Sequence, residues 1–134
     1  MIQCLPDTNA CIAIMNNHPS SVKTKLTEQA VAEVAISAIS LYEFQYGVSK
    51  SSKLAQNQKT LAAFLQYIQV LEWTEECASV AGQLRADLEK TGTPIGPYDL
   101  LIAAQVLAVD ATLVTHNTKE FSRVKALKLI DWVS

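Results

Sequence analysis

Apolar positions along this chain follow two rhythms. Short, mostly apolar or β-branched runs read as buried strands, and stretches where apolar residues return every third or fourth position read as helices. Ile2–Leu5 is a run of the first kind, and Asp7-Thr8-Asn9 then opens a helix to about Met15. His18-Pro19-Ser20-Ser21 breaks that helix and starts another, with Val22, Leu26 and Ala30 on one face. Val34–Ile39 predicts a second strand running into Ser40-Leu41-Tyr42-Glu43, a capping-box sequence whose helix ends near Gly47. Leu61, Phe64, Leu65 and Ile68 give Leu54–Ile68 a helical face, and Val70–Leu71 is a minor strand. Thr74 with Glu75 and Glu76 signals a helix start, and Gly92 its stop. Pro97 suits the first position of a further helix over Tyr98–Val109, apolar enough to be central. Thr112–Thr115 predicts a strand, His116–Glu120 a loop or short helix, and Leu127–Ile130 an edge strand.

Strands alternating with helices point to an α/β domain with a mostly parallel sheet. No repeat, low-complexity tract or linker interrupts the 134 residues, so the expectation is one domain over 1–134 with a substantial core.

Composition supports a compact chain: 49% of residues are apolar and 18% charged. No apolar run approaches the roughly 18–20 residues of a membrane span. Leu100–Val109 is the longest candidate, and Asp99 and Gln105 mark it as a buried helix. The N-terminus lacks a basic segment followed by an apolar stretch, which sets a cytoplasmic location as the expectation. Cys4, Cys11 and Cys77 are odd in number and irregularly spaced, a pattern of reduced, buried thiols and not of zinc.

The net charge of −2 is not that of a general nucleic-acid binder. Locally, Lys119, Arg123, Lys125 and Lys128 cluster near the C-terminus, and Lys50, Lys53 and Lys59 form a second group. Such groups hold phosphates in some proteins and are solvated helix faces in others.

The acids carry more information. Asp7, Glu43 and Asp99 each follow a predicted turn into a helix, where free N–H groups and the macrodipole favour negative charge. Asp7 reads equally as an N-cap, and Glu43 as the partner of Ser40 in a capping box. Asp99 is harder to assign to structure, because it opens the most apolar helix and a buried charge there needs a partner or a cation. If the three junctions share one rim of a parallel sheet, the acids converge into an oxygen-lined crevice suited to Mg²⁺ or Mn²⁺. Asn117 and Glu120 lie past a fourth strand end, as accessory ligands or as turn residues with a Glu120–Arg123 ion pair. Thr8 and Ser40 are candidates to orient the carboxylates or bound waters. His116 is a weak acid–base candidate without a visible carboxylate partner. No Gly-x-Ser-x-Gly elbow, P-loop or Gly-x-Gly-x-x-Gly is present.

Four blocks of the chain resemble the PIN-domain ribonucleases, in particular the VapC-type toxins of bacterial type II toxin–antitoxin pairs. They are Leu5-Pro6-Asp7-Thr8-Asn9, Ser40–Gly47, Ile95–Ala104 and Leu113–Phe121, with Asp131-Trp132 near the end. They fall in family order over essentially the whole chain. The resemblance implies a three-layer α/β/α domain and a Mg²⁺- or Mn²⁺-dependent endoribonuclease. It maps Asp7 and Asp99 to metal ligands, Glu43 to a metal ligand or the positioner of the attacking water, and Asn117 and Glu120 to the family's variable fourth position. It further implies an RNA substrate, tRNA ahead of DNA or mRNA, a cognate antitoxin lying over the acidic crevice, and a homodimer. Pro6 departs from the apolar, non-proline residue expected before the first Asp, and Asn117 from a fuller acidic set. These departures favour the competing reading, a non-catalytic PIN-like module that binds RNA or protein. A metal-dependent phosphatase of small molecules has no distinct signal in the sequence.

Overall fold

The computed structural model describes residues 1–133. Five three-residue strands, β1 (Cys4–Pro6), β2 (Ala35–Ser37), β3 (Gln69–Leu71), β4 (Thr112–Val114) and β5 (Lys128–Ile130), are separated by helices. Helices α1 (Thr8–Asn16), α2 (Ser20–Thr27) and a 3₁₀ turn (Val31–Glu33) connect β1 to β2. Next come α3 (Ala38–Ser49) and α4 (Leu54–Leu65), then α5 (Glu75–Lys90) and α6 (Pro97–Ala108), and last the short α7 (Thr118–Phe121) between β4 and β5.

All strand pairings are parallel: β1 with β4, β4 with β5, and β2 with β3. A parallel bridge between Cys4 and Val34, beside a 2.8 Å bond from the Gln3 N–H to the Glu33 carbonyl, joins the two sets into the order β3-β2-β1-β4-β5. The chain winds outward from β1 to β3, then returns to the other side of β1 with β4. That reversal puts the switch point of the sheet between β1 and β4, and in open α/β sheets ligands bind outside the strand carboxyl ends at such a point.

Side chains alternate across the sheet and divide the core in two. Cys4, Ile36 and Val114 face a cluster with Cys11, Ile14 and Val22 of α1 and α2 and Phe44, Leu61 and Phe64 of α3 and α4. Leu5 and Leu113 face the other way, against Ile102, Ala103 and Val106 of α6, Leu88 of α5 and Phe121 of α7. The result is the expected three-layer α/β/α arrangement. Cys4, Cys11 and Cys77 are free and buried, as their spacing predicted. Among the described residues no helix is long and apolar enough to cross a membrane.

Three local expectations change. The second strand is shorter than Val34–Ile39, because the Ser37 hydroxyl accepts the Ile39 N–H at 3.0 Å and starts α3 early. Ser40 therefore lies inside the helix, and no capping box forms between Ser40 and Glu43. The helix expected through Ile68 ends at Leu65, freeing the chain to enter β3. Pro6 closes β1, although β1 is the central strand. The Asp7 N–H donates to Val114 O at 2.9 Å, so Asp7 points toward β4. Alternate residues point to opposite neighbours, so the missing donor of Pro6 falls toward β2, beyond the Cys4–Val34 bridge.

Candidate active site

Asp7 stands directly after β1 and caps α1, its Oδ1 accepting the Ala10 N–H at 2.8 Å. The cap reading of this residue holds, and the cap lies at the switch point of the sheet. The side chain is 4% exposed. Desolvation raises its pKa, opposed by hydrogen bonds from Thr115 and Ala10, and the charges of Glu43 and Asp131 raise it further.

Glu43 arrives from α3. Thr8 Oγ1 donates to Glu43 Oε1 at 2.8 Å and lies 3.0 Å from Ser40 Oγ. A threonine hydroxyl has one hydrogen, so Ser40 is the donor to Thr8 and a relay runs Ser40 to Thr8 to Glu43. Both hydroxyls thus bond toward Glu43, Thr8 directly and Ser40 through Thr8.

Asp99 lies in the first turn of α6. Its pKa is pushed up to about 6 by desolvation, then by the charges of Glu120, Asp7 and Glu43. No hydrogen bond offsets these effects. This single group thus feels the charge of the other three candidate acids. Gly96 sits where Asp99 and Glu120 approach: a β-carbon there would stand 3.5 Å from Asp99 Oδ2 and 3.7 Å from Glu120 Oε1.

Glu120 is held by the Gly96 N–H at 2.9 Å and by Asn117 Nδ2 at 2.9 Å. The Gly96 and Asn117 bonds lower its pKa, with a smaller contribution from Arg123. The expected Glu120–Arg123 contact is replaced, since Arg123 Nη1 donates to the Pro94 carbonyl at 2.8 Å. Asn117 positions Glu120 and does not itself supply an acid.

No partner for His116 is visible in the sequence, and the structure supplies one. His116 Nδ1 lies 2.9 Å from Asp131 Oδ2 on the same rim. Although desolvation opposes it, the Val133 N–H and His116 keep the Asp131 carboxyl below its usual value. Thr115 lies within the Leu113–Phe121 block but is not among the sequence candidates; buried at the end of β4, it accepts the Asn117 N–H at 2.9 Å and bonds Asp7. The basic clusters divide. Arg123 reaches the Glu120 side of the crevice, whereas Lys128 begins β5 on the opposite rim and pairs with Asp110 at 3.4 Å.

These residues form a set of hard oxygen donors. Among the described residues no three acidic, histidine or cysteine side chains stand ready to hold an ion as they are. Asp7, Glu43 and Glu120 are instead turned to the local donors named above. The uncompensated charge at Asp99 is what a cation would neutralise. The donor chemistry fits Mg²⁺ or Mn²⁺.

Residues 4–127 match the PIN domain family. The chain belongs to that family, in its VapC branch. It is 46% identical over 127 residues to ribonuclease VapC2 of Rickettsia felis, covering 94% of this chain and 95% of that one. The tRNA(fMet)-specific endonuclease VapC of Shigella flexneri is 36% identical over 132 residues, covering 98% and 99%. Among solved structures, VapBC2 of R. felis bound to a promoter DNA fragment matches with a TM-score of 0.91 and 44% identity over 98% of this chain and 99% of that one. DNA-bound VapBC of Salmonella typhimurium matches with a TM-score of 0.93 and 33% identity, covering 98% and 99%. The PIN fold accounts for the strand order.

Proposed function

We propose that this chain is a VapC-type endoribonuclease toxin of the cytoplasm. It hydrolyses phosphodiester bonds of RNA, tRNA in particular, with Mg²⁺ or Mn²⁺, works as a homodimer, and is silenced by a cognate antitoxin. The observation that carries the reading is Asp99, whose carboxyl is pushed up to about 6 with Asp7, Glu43 and Glu120 around it. Concentrated negative charge of this kind has little structural use and suits a cation-assisted site. The tRNA(fMet)-specific endonuclease and the VapBC complexes among its relatives support the substrate class and the partner.

Asp7, Glu43 and Asp99 would hold the cation, with Glu120 in reserve. When bound, the cation lowers the pKa of a coordinated water and offsets charge on the phosphate. The chain's own residues do the remaining work. Ser40 and Thr8 fix Glu43 so that its free oxygen can take a proton from the attacking water. Asn117 and the Gly96 N–H keep Glu120 ionised beside Asp99. Ala10 and Thr115 hold the Asp7 carboxylate at the end of β1, beside the residues that follow β4.

Purified protein free of antitoxin is incubated with a total tRNA pool in Mg²⁺, in EDTA, and as the Asp99→Asn variant. Discrete fragments with Mg²⁺ alone are expected. Intact RNA in every lane, from folded protein, overturns the reading in favour of a non-catalytic binding module.

A further inference from the structure

Two of the acids are each preceded by a tyrosine: Tyr42 before Glu43 on α3, and Tyr98 before Asp99 on α6. Successive helical residues are rotated by about 100°, so each ring stands beside the acidic crevice and not within it. The two rings meet across the helices with centroids 5.7 Å apart and an interplanar angle of 57°, and their hydroxyls lie 3.4 Å apart. Both are nonetheless open to solvent, Tyr42 at 53% and Tyr98 at 43%. One turn further along α3, Tyr46 is 58% exposed and carries Lys50 Nζ 4.8 Å above its ring. Scattered exposed aromatics need no explanation, but two that meet across helices, each next to one of the acids, do.

The crevice sets a physical problem that these rings answer. Its acids repel an RNA backbone, and the chain's net charge of −2 gives no general attraction. Substrate affinity beside such a site must come largely from uncharged contacts. An exposed aromatic face supplies one, because every base has a π-face and stacking is insensitive to charge.

We propose that Tyr42 and Tyr98 form a stacking platform for an unpaired base of the RNA next to the cleaved phosphodiester, with Lys50 near the following phosphate. The inference rests on the ribonuclease reading and deepens it: the substrate is a single-stranded or splayed-out segment, not a duplex. The tilted pair leaves one ring available to stack, while the other props it against α6.

Steady-state cleavage of a fluorescent single-stranded RNA by the parent, Tyr42→Ala, Tyr98→Ala and Tyr42→Phe tests this, with sizing and thermal melting of each. The Ala variants are expected to fold and to raise KM roughly tenfold with kcat nearly unchanged, whereas Tyr42→Phe keeps the parent KM. Unaltered KM in the Ala variants overturns the platform. So does a Phe variant as impaired as Ala, or a loss that follows conversion of a dimer to monomer, which assigns the rings to a subunit interface. If the parent cleaves no RNA, the ribonuclease reading fails first. Fluorescence anisotropy of the same oligonucleotide in EDTA then decides the platform separately: weaker binding by the Ala variants supports it, and equal binding overturns it.

Discussion

Thr8 donates to Glu43 at 2.8 Å across 35 positions of sequence, tying the first turn of α1 to the middle of α3. Thr8 follows one acid of the crevice and holds another. Ser40 stands behind it at 3.0 Å, so the position of Glu43 depends on two hydroxyls and no charge.

Replacing Thr8 with Val keeps the shape and removes the donor. Loss of such a supporting bond typically costs about 10–100-fold in metal affinity or activity. The expected result is a fall of that order in RNA cleavage, with a melting temperature close to the parent. Thr8→Ser restores cleavage. A Thr8→Val enzyme as active as the parent would mean that Glu43 needs no fixed position.

The acidic crevice should make the cation-free protein less stable as pH rises. The pKa of Asp99 is raised on folding to about 6 from an ordinary 3.8. Its contribution is therefore fully present below about pH 4 and lost as pH rises through about 6. Asp7 moves in the same direction. Asp99→Asn removes this penalty, so in EDTA at pH 7.5 the variant should be more stable than the parent by roughly 1 kcal/mol after allowance for partial exposure. The difference should vanish near pH 4. Denaturant melts at the two pH values measure it, and a variant that is less stable at both contradicts the expectation.

Divalent cation should relieve the same repulsion. At about 100 times its dissociation constant, a ligand that binds only the folded state stabilises it by about 2.7 kcal/mol. Thermal melts with Mg²⁺ or Mn²⁺ should show an upward shift in the parent that Asp99→Asn or Asp7→Asn abolishes. Asn caps helices about as well as Asp, so Asp7→Asn tests the ligand and spares the cap. An equal shift in both variants would remove these residues from the cation site.

Pro6 should leave activity intact. Its missing donor faces β2, and the adjacent Asp7 N–H is bonded to Val114, so the carboxylate's anchor is untouched. Pro6→Val should leave the cleavage rate unchanged. A marked gain in rate would show that the proline displaces Asp7 after all.

Lys128 provides a control on the geometry. It starts β5 on the rim away from the acids and pairs with exposed Asp110. Lys128→Ala should leave RNA cleavage unchanged and alter stability by no more than about 0.5 kcal/mol. Weakened RNA affinity in this variant would place substrate on that rim.

The chain's local chemistry already determined much. Alternating strand and helix rhythms specify a parallel α/β domain, because a short apolar run and a 3.6-residue period have different ways of burying surface. The positions of Asp7, Glu43 and Asp99 after turns are likewise local facts, as is the aptness of Pro97 for a helix start. The motif blocks carried the family. Tertiary structure decided which partner each polar group takes. Ser37 outcompeted Ser40 for the start of α3, and Glu43 took the Thr8 hydroxyl instead of its own helix end. Glu120 reached back to Gly96, and His116 found Asp131 after the chain had passed through β5. Hydrogen-bond donors and acceptors are few in kind and many in number, so a sequence offers each acid several equivalent partners. Only the order β3-β2-β1-β4-β5, which brings distant strand ends to one rim, selects among them.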